Sequence, residues 1–162
     1  MAKTPEVGEA APDFTLPGLL LAGDQAERAD YTLSASRGAP LVLAFYPGDN
    51  TYVCTRQMCS YTADLSGFAE VGATVWGISP QDVDSHEQFA RKHALGFPLL
   101  ADTDLAVTRA FGISLGGRSL RRSVFVIDGK GIVRWKHVTL VGLTFPRPAT
   151  ITAQVAALAD AG

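Results

Sequence analysis

The alternation of apolar and polar positions predicts a chain of short strands and amphipathic helices. Residues 41–46 form an apolar run rich in β-branched and aromatic side chains, which is typical of a buried strand. The Pro47-Gly48 pair ends this run, and apolar residues then recur at helical spacing as far as Phe68. Asp49, Asn50 and Thr51 are side chains that cap helix starts. The pattern therefore predicts a helix that begins directly after a buried strand.

The same patterns extend over the rest of the chain. Strands are predicted at 14–16, 31–33, 73–78, 97–100, 123–128 and 132–138, and helices at 83–93, 102–111 and 150–161. We expect residues 18–30 and 114–121 to form loops, and Pro98 to mark an edge strand or a strand start. This order predicts one α/β domain over residues 1–162, with a central sheet covered by helices on both faces.

Composition narrows the class of protein. The 162 residues are 47% hydrophobic and 19% charged, which suits an ordinary globular protein. A net charge of −2 gives no general attraction to nucleic acid or to anionic membranes. The chain has no apolar run of membrane-spanning length, and its first residues lack the apolar core of a signal peptide. We therefore expect a cytoplasmic protein with neither nucleic acid nor membrane as a partner.

Both cysteines fall within the predicted central helix. Cys54 is expected in its first turn, where backbone N–H groups lack intrahelical partners and the peptide dipoles add positive charge. That environment favours the thiolate, which is the nucleophilic form of cysteine. A buried apolar cysteine with no chemical role is the alternative. Two cysteines are too few for a disulfide scaffold, so a working pair is the more natural use of Cys54 and Cys59 in a reducing compartment.

The residues around Cys54 resemble a known active-site motif. Pro47-x-x-x-Thr51-x-x-Cys54 is similar to the motif of the peroxiredoxins, the thiol peroxidases that reduce hydroperoxides. Cys59, with Gln57 between the two cysteines, is similar to the bacterioferritin-comigratory, or Q-type, branch. The resemblance covers roughly residues 7–137. Three further segments carry it in the family's order: Val7-Gly8-x-x-Ala11-Pro12-Asp13-Phe14-x-Leu16, Phe97-Pro98-Leu99-Leu100-Ala101-Asp102 and Arg122-x-x-Phe125-Val126-Ile127-Asp128.

The resemblance implies a thioredoxin-like fold and assigns roles to five residues. Cys54 would be the peroxidatic nucleophile, and Cys59 would resolve its sulfenic acid as an intramolecular disulfide. Arg122 would place a permanent cation beside the sulfur, and it is selected over Arg118 and Arg121 by the Phe-Val-Ile-Asp run alone. The two remaining site residues, which would border the peroxide, are Pro47 and Thr51.

The resemblance also implies the partners. The substrates would be hydrogen peroxide and organic hydroperoxides, and thioredoxin or a similar dithiol would reduce the enzyme. We expect no cofactor, and either a monomer or a homodimer. The sequence has no cysteine at its carboxy-terminal end, which argues against the type that resolves through a partner subunit's tail.

Other readings of the cysteines remain open at this stage. A thiol–disulfide oxidoreductase would want Cys-x-x-Cys, but here the spacing is Cys-x4-Cys and Gln57 holds the position of the second cysteine. Cys59 as a spectator would leave a one-cysteine peroxidase, and a non-enzymatic peroxide sensor is a further alternative. Two cysteines and three scattered histidines give no zinc-ligand spacing, so we expect no metal. The histidines are interpreted as ordinary surface or strand residues: His86, His93 and His137.

Two features depart from the family pattern. Tyr52 and Val53 are expected to make the mouth of the pocket bulkier. The segment 139–148 is apolar and proline-rich, and it could form a lid or a dimer surface.

Helix geometry separates two side chains that lie five residues apart, so a Cys54–Cys59 disulfide is expected to require unwinding of the helix.

Overall fold

The computed structural model describes residues 3–116, 119–139 and 144–160. Its strands are β1 (Thr15–Ala22), β2 (Gln25–Thr32), β3 (Leu41–Phe45), β4 (Thr74–Ser79), β5 (Leu99–Ala101), β6 (Ser114–Gly116), β7 (Ser119–Leu120), β8 (Ser123–Ile127) and β9 (Val133–Val138). Its α-helices are α1 (Tyr52–Ala63), α2 (Leu65–Glu70), α3 (Val83–His93), α4 (Ala106–Ala110) and α5 (Pro148–Asp160), and a 3-10 helix spans Leu33–Ser36. Across these ranges, every helix is too short or too polar to cross a membrane.

Seven of the strands form one mixed sheet. Their order is β2-β1-β5-β4-β3-β8-β9, and β6 pairs with β7 in a separate hairpin. Strand β4 runs parallel to both of its neighbours, β3 and β5, whereas the remaining pairs in the sheet are antiparallel. The predicted α/β class with a central mixed sheet is therefore confirmed.

The sheet separates two apolar cores, and β3 contributes to both. Leu43 and Phe45 point to the face covered by α4, whereas Val42 and Ala44 point to the opposite face, as the two-residue period of a strand requires. Helices α1, α2, α3 and α5 cover that second face. All five residues of β3 are buried, so the predicted buried strand and the predicted helices on both faces are confirmed.

The predicted loop at 18–30 is wrong, because a long antiparallel hairpin of β1 and β2 occupies this region. Pro17 pairs with Asp30 inside the ladder instead of ending the strand. Gly18 is needed there for space, since a Cβ atom at this residue would lie 2.7 Å from the carbonyl oxygen of Leu99 on β5. Gly23 turns the hairpin with a φ of 65°.

Three other segments differ from the predictions by more than one or two residues at their ends. The long helix predicted after residue 51 is divided at Asp64 into α1 and α2. The helix predicted at 102–111 forms only at 106–110, because the Asp102 carboxylate accepts the backbone N–H groups that open α4. The described part of the predicted loop 114–121 forms the β6–β7 hairpin. Pro98 precedes β5, which lies between β1 and β4, so it marks a strand start and not an edge.

Candidate active site

Cys54 is the third residue of α1, as the sequence pattern predicted. Strand β3 ends at Phe45, and Thr51 is the N-cap residue of α1 with an extended backbone. The Cys54 side chain is fully buried. Because it lies in the first turn, the N–H groups around it have no intrahelical acceptor and point toward the start of the helix. Its thiol is therefore enclosed in the electropositive end of α1.

Arg122 reaches the Cys54 sulfur from the neighbouring strand. Phe45 pairs with Ser123, so Arg122 lies beside the end of β3, where the chain leaves the sheet toward α1. The Arg122 side chain is 2% exposed, and its Nη2 donates to Cys54 Sγ at 3.1 Å. Its carbonyl oxygen accepts from both the N–H and the hydroxyl of Thr139 at 3.0 and 2.8 Å. Sheet pairing and Thr139, the residue after β9, thus fix the Arg122 backbone at the point from which its side chain reaches the sulfur.

Gln57 holds the other side of the guanidinium. Arg122 Nη1 donates to Gln57 Oε1 at 2.6 Å, and Gln57 is fully buried. Gln57 follows Cys54 by three residues, so the two side chains share one face of α1 and present two acceptors to the planar guanidinium. Gln57, which the sequence analysis named only for its position between the two cysteines, thus contacts the arginine directly.

Tyr61 and a backbone carbonyl continue this chain of hydrogen bonds. Gln57 Nε2 donates to the Tyr61 hydroxyl at 3.2 Å, and that hydroxyl donates to the Pro146 carbonyl at 2.8 Å. Burial raises the pKa of the Tyr61 phenol, which keeps the donor proton in place. Sequence reasoning missed Tyr61, although its spacing of four from Gln57 places both on one helix face.

Part of the apolar segment 139–148 packs on α1. The Phe145 ring meets the Tyr61 ring edge-on, with centroids 6.0 Å apart, and the Arg56 guanidinium lies 5.9 Å from the Phe145 centroid. Residues 140–143, for which a lid or a dimer surface was predicted, lie outside the described residues, as does Arg118. The described end of the segment therefore covers the hydrogen-bond chain from Arg122.

The site places a fixed positive charge against the Cys54 sulfur. Arg122 carries a permanent charge in a nearly dry environment, where Coulomb attraction is stronger than in water. A thiolate at Cys54 neutralises this buried cation and accepts its hydrogen bond more strongly than a thiol does. The arrangement can therefore hold a nucleophilic sulfur and a cation beside any oxygen atoms that approach it.

Pro47 and Thr51 lie on the loop that leads into α1. Pro47 is half-buried, and Thr51 is exposed. The Thr51 hydroxyl donates to the Gly48 carbonyl at 3.0 Å and does not cap the helix backbone. Tyr52, which was expected with Val53 to make the mouth of the pocket bulkier, is 76% exposed, and the Arg56 guanidinium lies 5.7 Å from its ring centroid.

Cys59 is a free thiol on another side of α1. It is half-buried and borders a groove of about 480 Å³ whose other lining residues are Asn50, Tyr52, Thr55, Arg56, Lys92 and His93. Burial raises the pKa of the Cys59 thiol. The structure thus brings Arg122 to Cys54 but leaves Cys59 apart from both. Within the described ranges, no three His, Cys, Asp or Glu side chains come together as a metal site.

A second buried polar cluster, which the sequence analysis missed, lies behind the loop at 47–51. Its centre is Asp49, which the sequence offered only as a helix cap. His86, interpreted from the sequence as an ordinary surface or strand residue, is fully buried on α3, and its Nδ1 lies 2.7 Å from the Asp49 carboxylate. That interpretation is wrong because α3 turns this side chain toward the sheet, where the Leu100 carbonyl lies 2.9 Å from Nε2.

The amino-acid sequence is similar to the sequences of known proteins. The AhpC/TSA family model matches residues 7–136. Peroxiredoxin Q of Oryza sativa subsp. japonica, a chloroplastic protein, is 39% identical over 130 residues, which are 79% of this chain and 57% of that protein. The bcp peroxiredoxin of Coxiella burnetii is 33% identical over 146 residues, covering 85% of this chain and 92% of that one. The chain thus spans little more than half the length of the plant relatives it matches.

Solved structures of several known proteins superpose well on this chain. Peroxidoxin BcpB of Mycobacterium tuberculosis superposes with a TM-score of 0.82 at 28% identity, over 95% of this chain and 98% of that one. AhpC of Mycobacterium bovis superposes with a TM-score of 0.86 at 20% identity, over 98% and 95% of the two chains. These matches confirm the predicted thioredoxin-like fold. The chain therefore belongs to the AhpC/TSA family, and its relatives place it among the peroxiredoxins of the bacterioferritin-comigratory, or Q-type, branch.

Proposed function

We propose that this protein is a thiol peroxidase that reduces hydrogen peroxide and organic hydroperoxides through Cys54. The single observation that carries the proposal is the 3.1 Å contact between the buried Arg122 guanidinium and the Cys54 sulfur in the first turn of α1. Membership of the peroxiredoxins supports the same activity. A buried cysteine without a chemical role would have no need of a charged donor at its sulfur.

In the first step, the Cys54 thiolate attacks one oxygen of the hydroperoxide, and the O–O bond breaks. The sulfur becomes a sulfenic acid, and the other oxygen leaves as water or alcohol after it takes up a proton. Negative charge moves from sulfur to the departing oxygen, and Arg122 stabilises it at both places because its donors form a fixed fork. The N–H groups of Val53 and Cys54 and the Thr51 hydroxyl orient the peroxide, while Pro47 borders the pocket without adding a donor.

In the second step, Cys59 resolves the sulfenic acid. Its thiolate attacks the Cys54 sulfur, water leaves, and an intramolecular disulfide forms. A dithiol such as thioredoxin then donates two electrons and returns both cysteines to thiols. Two free thiols on one helix, with Cys59 half-buried, support this sequence of steps. Such a cycle suits a reducing compartment, and a cytoplasmic location stays our prediction.

The test compares two matched serine variants without reductant. Wild-type protein should consume one equivalent of hydrogen peroxide and lose two hydrogens by mass. Cys59→Ser should also consume one equivalent but gain one oxygen, because its sulfenic acid persists. Cys54→Ser should consume none, since a hydroxyl cannot replace the thiolate.

Each alternative has its own outcome in this test. Peroxide consumption by Cys54→Ser would refute the proposal. A wild-type protein that gains an oxygen and keeps its hydrogens would make Cys59 a spectator. Thioredoxin or another dithiol is then added in a second stage, and a protein that reacts once but is not recycled by it would be a sensor and not a peroxidase.

A further inference from the structure

The loop at 47–51 is tied to the rest of the fold through one buried carboxylate. Asp49 Oδ1 accepts the Tyr46 hydroxyl at 2.7 Å, and Oδ2 accepts the Ser85 hydroxyl at 2.8 Å. His86 Nδ1 lies 2.7 Å from the same Oδ2. Asp49 is 7% exposed, and Tyr46 and His86 are fully buried. Three polar groups from β3's end and from α3 thus converge on a single loop side chain.

The partners of Asp49 are themselves held. His86 Nε2 faces the Leu100 carbonyl on β5 at 2.9 Å, so contacts at both nitrogens fix the imidazole ring. The Asp49 backbone N–H donates to Gln81 Oε1 at 2.7 Å. The loop is therefore anchored through the Asp49 side chain and backbone to residues outside α1.

This anchoring bears on the geometry of the reactive pocket. Asn50, the next residue, has a φ of 62°, a left-handed conformation that asparagine adopts more readily than most other non-glycine residues, and it turns the chain between Asp49 and α1. Thr51 follows at once as the N-cap of α1, and Cys54 lies one turn further on. The position of the loop at Asp49 therefore decides where the Thr51 hydroxyl and the first N–H groups of α1 lie relative to the sulfur.

We propose that Asp49 is a positioning residue for the peroxide step. It acts through the loop and through Thr51, and it does not touch the reacting atoms. The inference rests on the proposed peroxidase function. A misplacement of about 1 Å in a reactive geometry can slow a reaction by about 100-fold, so loss of this anchor should appear in the rate of Cys54 oxidation.

A residue with a purely structural role would affect stability without affecting the rate of Cys54 oxidation. Asp102 provides a matched control for such a role. Asp102 is also a fully buried carboxylate that takes three hydrogen bonds, from the N–H of Val107 and from the N–H and hydroxyl of Thr108. It opens α4 and makes no contact of this kind with the loop at 47–51. Asp102→Asn should therefore lower stability without displacing the pocket.

The experiment measures single-turnover oxidation by hydrogen peroxide, disulfide formation and thermal unfolding in wild type, Asp49→Asn and Asp102→Asn. An asparagine amide keeps the shape of the carboxylate but cannot accept all three donors. Asp49→Asn should oxidise Cys54 about 10- to 100-fold more slowly than wild type. The later attack of Cys59 on the sulfenic acid should be as fast or faster. Asp102→Asn should oxidise Cys54 within about threefold of wild type.

Ser85→Ala provides a milder variant in case Asp49→Asn does not fold. It removes one donor from Asp49 Oδ2 and should slow Cys54 oxidation about two- to fivefold, because the carboxylate keeps its other two partners. Oxidation in Asp49→Asn as fast as in Asp102→Asn overturns the inference, and so does an unchanged rate in Ser85→Ala if only that variant folds. A wild-type protein that does not react with hydrogen peroxide overturns the proposed function and this inference together, an outcome distinct from a failure confined to the Asp49 variant.

Discussion

Disulfide formation between Cys54 and Cys59 should unwind the first turns of α1. Five residues of ideal helix give a rise of about 7.5 Å and leave the two side chains roughly 140° apart, which places the Cα atoms about 8.6 Å from each other. A disulfide needs Cα atoms within about 7 Å and converging Cβ atoms. The intact helix that carries both thiols therefore cannot accommodate the bond, and the backbone must yield.

The structure indicates what unwinding removes. The Cys54 sulfur leaves the Arg122 donor at 3.1 Å, and the acceptor that Gln57 presents to Arg122 moves with the helix. The first-turn N–H groups lose their common direction. The disulfide form should therefore lose the peroxide pocket, so that an oxidised molecule cannot react with a second peroxide until it is reduced.

Amide hydrogen exchange tests this directly. Within 52–59, exchange at the amides from Thr55 onward should rise by at least about tenfold on oxidation, because these amides lose their helical acceptors, while β3 and β8 should keep their protection. Cys59→Ser treated with one equivalent of peroxide is the matched control, since it is oxidised but forms no disulfide. Unchanged protection across 52–59 in a protein shown by mass to carry the disulfide would refute the reasoning.

Three further predictions concern other contacts of α1. Arg122→Lys should slow Cys54 oxidation by about 100-fold or more, because lysine cannot reproduce the guanidinium fork that binds the sulfur and Gln57 together. Arg121→Lys, which changes the neighbouring half-buried arginine, is the control. Equal oxidation rates in the two variants would contradict the assignment of Arg122. Burial raises the pKa of the Cys59 thiol, so its thiolate is scarce at neutral pH. In quenched-flow experiments, disulfide formation should therefore accelerate by up to about tenfold per pH unit from pH 6 to 8. A rate that does not change with pH would instead identify unwinding of α1 as the slow step. Tyr61→Phe leaves the buried carbonyl of residue 146 without its donor and should lower the free energy of unfolding by about 1–3 kcal/mol in urea titrations. A change in the free energy of unfolding near zero would show that water replaces the hydroxyl.

The local sequence pattern was sufficient to predict the features of the fold that neighbouring residues determine. The apolar run at 41–46, the Pro47-Gly48 break and the capping side chains were enough to place Cys54 in the first turn of a helix, since each signal acts within a few residues. The separation of Cys54 from Cys59 follows in the same way, because it depends only on helix periodicity. The choice of Arg122 over its neighbours came from resemblance to a family motif and not from local physics.

Tertiary structure decided the features that depend on distant residues. Gly18 looks like a strand break in the sequence, but the close approach of β5 makes it the residue that lets β1 continue. His86 and Asp49 are 37 positions apart, and no periodicity links them. The pairing of Phe45 with Ser123 carries Arg122 across 68 positions to the Cys54 sulfur. Sequence by itself determined that Cys54 lies at a helix start. The sheet register determined which charged side chain lies beside it, because long-range strand pairing leaves no local pattern in the chain.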